Sequence, residues 1–179
     1  MIFHVLTIYK NLIEEYAKTG VIGRGVNSGV LDIRVYDIRD YTTDKHGAVD
    51  DYPYGGGAGM VMTPQPIYDC VQAVRNGRED IPVIYFTPGG TPFTTDVAKK
   101  YTSSEEVILL CGHFEGIDQR VLDPPDDIPA APFLGFLGGL GVGALETFGQ
   151  RDQPLGRIGA AGKDHVFAGF AQGRVDRVI

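Results

Sequence analysis

Val107-Ile108-Leu109-Leu110-Cys111-Gly112-His113-Phe114-Glu115-Gly116 is the stretch whose reading decides the fold. A short, continuous apolar run followed at once by glycine reads as a strand buried on both faces, closed by a tight turn. The next residues, Glu115 to Leu122, fit a helix, with Glu115 and Asp118 in its first turn, where carboxylates are favoured electrostatically. Upstream, Val83-Ile-Tyr-Phe-Thr87 repeats the pattern: a buried strand, closed by Pro88-Gly89-Gly90.

Working outward, helical segments separate these strands. Thr63-Pro64 reads as a helix start, with proline at the first helical position. The helix after it puts Ile67, Cys70, Val71 and Val74 on one face. Thr94 to Tyr101 reads as another helix. Phe3 to Ile8 reads as a strand, Asn11 to Lys18 as a helix ended by Gly20, and Leu31 to Tyr36 as a half-buried strand. Tyr41 to Gly59 lacks a period and reads as a loop. Buried strands alternating with helices predict an α/β domain with a mostly parallel sheet. Ligands in such sheets bind outside the carboxyl ends of the strands. That points to Thr87-Pro-Gly-Gly90 and to Cys111-Gly-His-Phe-Glu-Gly116.

The texture changes after Asp123-Pro-Pro-Asp-Asp127. Phe133 to Gly149 is dense in glycine without a helical or strand period, and Gln150 to Ile179 alternates glycine, alanine and isolated charges. Glycine at that density makes regular structure entropically costly. The reading is a domain over 1–123 and a weakly structured tail over 124–179. Gly139-Leu-Gly-Val-Gly-Ala144 has the form of a dinucleotide fingerprint. It lacks a preceding strand and a following acidic residue, so it reads as chance.

Bulk composition narrows the function classes. The chain has 179 residues, 43% of them hydrophobic, which excludes a disordered chain. No apolar run has the length of a membrane span, and Met1-Ile-Phe-His-Val5 has no basic start, so the cytoplasm is the expected compartment. Cys70 and Cys111 read as thiols acting as small hydrophobes, with no disulfide and no metal-ligand spacing. A net charge of −7 argues mildly against a polyanionic partner, although a local patch decides binding. His4, His46, His113 and His165 are scattered, and only His113 lies in a motif.

Two motifs carry chemistry. Asp50-Asp-Tyr-Pro-Tyr-Gly-Gly-Gly-Ala-Gly-Met60 lets backbone amides approach a planar or anionic ligand, while its plain structural reading is a flexible glycine loop. No Lys-Ser/Thr follows it, so it is not a P-loop. In Cys111–Val121, Glu115 can meet a polar group of a ligand, and Gly112 and Gly116 leave room for a nucleoside.

Six segments, taken in order, resemble the bacterial tRNA (guanine-N1)-methyltransferase family of the knotted SPOUT class. They are Gly20-Val-Ile-Gly-Arg24, Ile38-Arg-Asp-Tyr41, Asp44-Lys-His46 with Val49-Asp-Asp51, Tyr54-Gly-Gly-Gly-Ala-Gly-Met60, Ile84-Tyr-Phe-Thr-Pro88 and Cys111-Gly-His-Phe-Glu-Gly-Ile-Asp118. The resemblance implies an α/β trefoil knot, S-adenosyl-L-methionine as cofactor, tRNA as substrate and a homodimer. It implies cofactor contacts at Tyr85, Phe86, Thr87, Pro88, Gly112, Glu115 and Gly116. Asp50, Tyr54, Gly55, Gly56, Gly57 and Gly59 would hold the target guanine next to the anticodon, and Glu115 is the one catalytic candidate. The resemblance stops near Val121. The strand and turn that complete the family's knot, its aspartate general base and its C-terminal tRNA domain have no matching positions, which leaves the knot incomplete. The alternative expectation is a catalytically dead remnant with weak nucleoside or RNA binding.

Overall fold

The computed structural model describes residues 1–122 and 133–137. Its centre is a five-stranded, all-parallel sheet formed by β1 (Ile2–Thr7), β2 (Asp32–Asp37), β5 (Val83–Pro92), β6 (Glu106–Leu110) and β7 (Phe133–Leu137), in the order β2-β1-β6-β5-β7. A separate antiparallel pair joins β3 (Asp50–Asp51) to β4 (Val61–Met62). The α/β class and the parallel sheet are as the alternating pattern predicts.

The continuous apolar runs follow from burial on both faces. On β6, Val107 and Leu109 face one cluster with Phe3, Val5, Ile22, Leu31 and Ile84. Ile108 and Leu110 face the other, with Leu6, Met62, Ile67, Cys70, Val71, Val74, Val83 and Tyr85. Helix α3 (Pro64–Arg75) covers this second face with the four residues the 3.6-residue period selects. Thr63 stands at its N-cap, but the hydroxyl donates to Val49 O at 3.2 Å rather than capping the helix. Arg75 is fully buried on α3 and its guanidinium donates to Ile81 O at 3.0 Å and to Glu79 at 3.0 Å.

The other face carries α1 (Lys10–Tyr16), α2 (Gly20–Asn27) and α4 (Thr95–Tyr101). Here the structure departs from the sequence reading: Gly20 does not end α1 but begins α2. Three glycines in eight residues depress helix propensity. Packing overrides it, because α2 buries Ile22 and brings Gly23 against the Lys18 carbonyl.

Three further expectations are corrected. The Tyr41–Gly59 loop contains β3, and a short 3-10 turn (Ile38–Tyr41) precedes it. Pro88-Gly89-Gly90 does not close β5; Phe86 and Thr91 both lie opposite Phe136, so the residues between them bulge from a strand that continues to Pro92. Phe133–Leu137, read as lacking a strand period, pairs with β5 as a fifth strand. Parallel pairing needs only a partner with a free edge, which the glycine-rich composition hid. The remainder of the expected tail, with Gly139–Ala144, lies outside the described residues, as do 123–132, and the expected knot falls there with them. Among the described residues, no helix is long and apolar enough to cross a membrane.

At the amino ends of β1 and β6, buried His4 places Nε2 2.8 Å from Glu106 and Nδ1 3.1 Å from the Tyr36 hydroxyl. Arg78 grips Glu106 with two donors, at 2.6 and 3.0 Å. The Arg78 bond first, then His4, holds the Glu106 carboxyl down at about 2 from the usual 4.5. A carboxyl depressed in the folded state adds stability present above its unfolded value and lost as pH falls through the folded one. Thermal melts should therefore show a stability loss between about pH 4.5 and 2 that Glu106→Gln flattens; an identical acid limb in the variant would remove Glu106 from the account. A second expectation concerns Gly23→Ala. Alanine ordinarily improves a helix by ~1 kcal/mol. Here its Cβ would stand 2.3 Å from Lys18 O, so the sign should reverse to a loss of about 1–3 kcal/mol in denaturant titration.

Candidate functional site

The turn after β6 is where the two motifs meet. Cys111 N–H donates to Leu6 O at 2.9 Å and keeps the chain aligned with β1 until the strand ends. Gly112 to Glu115 are then exposed, although the strand feeding them is almost wholly buried. The hairpin root at Met60–Met62 lies alongside. Glu115 N–H donates to Met60 O at 3.0 Å, Met62 N–H to Gly116 O at 3.0 Å, and Asp118 N–H to Met62 O at 2.9 Å. Ile117 bridges Met62 in parallel, and His113 N–H points at the Met62 sulfur at 3.3 Å.

This ladder corrects the expected helix over Glu115–Leu122. The backbone groups of Glu115, Gly116 and Asp118 are committed to the hairpin, and Gly116 has φ +129, outside the helical region. Only Gln119–Leu122 forms a helix, α5. Asp118 precedes it: its carboxylate accepts from Arg120 N–H at 2.9 Å and pairs with the Arg120 guanidinium, which lowers its pKa.

The Glu115 side chain lies over Gly59. A Cβ on Gly59 would stand 2.5 Å from Glu115 Cγ and 2.9 Å from Oε1, and the backbone there has φ +88, so glycine is required on both counts. From β5, Tyr85 reaches the same turn. Burial raises the pKa of its hydroxyl, and the Thr87 side chain and Ile117 backbone work against that rise. The room expected at Gly112 is partly taken by this ring: an added Cβ would meet Tyr85 Cε2 at 2.9 Å. Gly116 has the Tyr85 hydroxyl 3.5 Å from its Cβ position.

The structure thus brings together Tyr85, Thr87, Gly112, Glu115, Gly116 and Gly59. Phe86 points to the other face, packing edge-on to Phe93 at 5.8 Å, so only its backbone can serve this site. Pro88 lies in the β5 bulge. Asp50 pairs opposite Met62, half-buried at the hairpin root. Tyr54, Gly55, Gly56 and Gly57 are exposed at the tip, with nothing within 4 Å of the added Cβ of the three glycines. The tip therefore stands apart from the turn that its root touches.

The sequence reading passed over two neighbours. Met62 is fully buried beneath His113. Tyr9, just past β1, sets its hydroxyl 2.9 Å from His113 Nε2. An open cleft of about 360 Å³ runs beside Tyr9, lined by Ile8, Tyr9, Lys10, Asn11, Leu12 and Asp37. It lies at the carboxyl ends of β1 and β2, the position rule for parallel sheets, and that rule could have flagged Tyr9. Burial pushes the Cys70 thiol up to about 12 and the Cys111 thiol to about 11, so neither is a ready thiolate near neutrality. Among the described residues, no group of three His, Cys, Asp or Glu side chains could hold a metal ion.

The tRNA (Guanine-1)-methyltransferase TrmD family model matches residues 1–129. The tRNA (guanine-N(1)-)-methyltransferase of Clostridioides difficile is 44% identical over 125 residues, covering 69% of this chain and 54% of that protein. The protein of the same description from Lachnospira eligens is 47% identical over 124 residues, covering 69% and 52%. The chain spans about half the length of these relatives. The crystal structure of tRNA (m1G37) methyltransferase from Aquifex aeolicus superposes with a TM-score of 0.72 over 89% of this chain and 76% of that chain. Its 24% identity makes it evidence for the fold alone. The family match over residues 1–129 establishes that this chain, whose glycine hairpin is bonded to the β6 turn, belongs to the tRNA (guanine-1)-methyltransferase TrmD family.

Proposed function

We propose that this chain binds S-adenosylmethionine at the β6 turn and serves methylation of guanine N1 in tRNA, next to the anticodon, in the cytoplasm and as a homodimer. The observation that carries the reading is Glu115 held over Gly59 by the ladder between Met60–Met62 and Glu115–Asp118. It places one carboxylate, two glycine-bearing segments and an exposed strand end within a single surface.

The residues present fit the cofactor. An adenosine offers a planar face and a neutral polar edge, which the exposed backbone at Gly112 and Glu115 and the half-buried Gly116, Phe86 and Thr87 can meet. The buried Tyr85 ring supplies a firm wall behind them. When bound, S-adenosylmethionine supplies a methyl group already made electrophilic by its sulfonium. The protein's share is then to orient the guanine and take the proton from its N1. Glu115 has the chemistry for that: a carboxylate accepts from the N1–H and N2–H donors of one guanine edge. The exposed Tyr54 and Gly55–Gly57 tip can close on the base face, and Asp50 holds the hairpin root. These roles fall within the matched residues 1–129.

A second reading, a non-catalytic nucleoside-binding remnant, is favoured by one fact: the family match stops at residue 129. The two separate in one experiment. Saturating S-adenosylhomocysteine at about 100 times its Kd should stabilise the protein by ~2.7 kcal/mol, and no thermal shift would sink the cofactor site in both readings. Tritiated S-adenosylmethionine and a tRNA with guanosine 3′ of the anticodon then report transfer. The proposal expects label in the tRNA, reduced about 10²–10⁴-fold by Glu115→Gln while S-adenosylhomocysteine still binds. Binding without any transfer would assign the chain to the remnant reading.

A further inference from the structure

Phe114 is the conspicuous residue of the β6 turn. It has φ +57, a left-handed conformation uncommon for a bulky side chain, and the residue is 41% exposed. Such a conformation persists only where the surroundings impose it, and it is the starting point for a functional inference. The backbone restraint on one side is the ladder to Met60–Met62. On the other side the restraint comes from β1. The His113 ring packs on Phe114 with centroids 4.6 Å apart at 59°. The same imidazole meets the Tyr9 ring edge-on, 5.0 Å apart at 89°, and Nε2 shares a hydrogen bond with the Tyr9 hydroxyl at 2.9 Å.

Tyr9 is itself anchored. Its N–H donates to Thr7 Oγ1 at 3.1 Å, and its carbonyl accepts from Leu12 N–H at 3.1 Å and Ile13 N–H at 3.3 Å. It therefore stands rigidly at the junction of β1 and α1, while its hydroxyl reaches across to a turn 104 residues later in the chain. At 46% exposure the residue contributes little to the core. A tyrosine held by three backbone-level bonds and spent on an exposed imidazole is poorly explained by stability alone.

We infer that Tyr9 is a positioning residue: through His113 it holds Phe114 in the left-handed conformation and keeps the Gly112–Gly116 backbone presented to a ligand. The inference rests on the proposed cofactor site and adds a control on it from β1, outside both glycine motifs. His113 is then an intermediary, fixed between Met62 below its backbone and Tyr9 beside its ring.

The test uses the full chain and Tyr9→Phe, which keeps the ring and removes the hydroxyl. Affinity for S-adenosylhomocysteine should fall roughly 3- to 10-fold, the scale of one hydrogen bond. The melting temperature should stay within about 2 °C, as for an exposed residue. The ¹⁵N resonance of His113 Nε2 should move, reporting the lost bond, and the Phe114 Cα shift should leave its left-handed value; a purely structural role would not move the Phe114 shift without a loss of stability. Wild-type affinity in Tyr9→Phe would overturn the inference. If neither protein binds S-adenosylhomocysteine, the proposed function fails on its own account, and the Phe114 shift decides: unchanged, the positioning role falls; moved, it stands for the turn itself.

Discussion

The backbone ladder between Met60–Met62 and Glu115–Asp118 is the constraint on which the site depends. Without it the hairpin loop and the β6 turn would be two unrelated glycine-bearing connections. Each bond is worth only about 1 kcal/mol net. Their effect is geometric rather than energetic: they stop a helix from starting at Glu115, turn its carboxylate onto Gly59 and leave Gly112–Glu115 exposed. Met62 secures the arrangement from below, since it is fully buried in the α3-side core and its sulfur faces His113 N–H.

The ladder can form because the sheet holds β6 still. β6 is paired on both edges, to β1 and β5, and covered on both faces. A strand so enclosed cannot slide by one residue, since Val107 and Leu109 would exchange faces with Ile108 and Leu110. Its carboxyl end is therefore delivered to a fixed place beside Tyr85, and the glycine-bearing connections gather at that end. The opposite end is held by charge instead. His4, Glu106 and Arg78, with Tyr36 on the neighbouring strand, form one hydrogen-bonded group, which gives a buried histidine polar partners on both ring nitrogens.

Several elements were legible from residues alone. The runs Val107–Cys111 and Val83–Thr87 announced buried parallel strands, and Ile67, Cys70, Val71 and Val74 announced the buried face of α3. Those patterns are local consequences of burial and need no partner to be read. α2 was not legible, because Gly20, Gly23 and Gly25 argue against a helix until the Lys18 carbonyl is seen against Gly23. Nor was Phe133–Leu137, whose strand character comes from the β5 edge it joins.

The sequence by itself determined the alternating α/β plan, the family and the two motifs, since apolar periodicity and residue order are properties of a chain. Tertiary structure alone decided that Glu115 rests on Gly59, that Tyr85 fills the space at Gly112 and that Tyr9 meets His113. Each of these joins residues separated by 27 positions or more, and the joining is set by strand order and hydrogen-bond register. Those are fixed only when the buried faces of β1, β5 and β6 pack at once, which no local window of residues records.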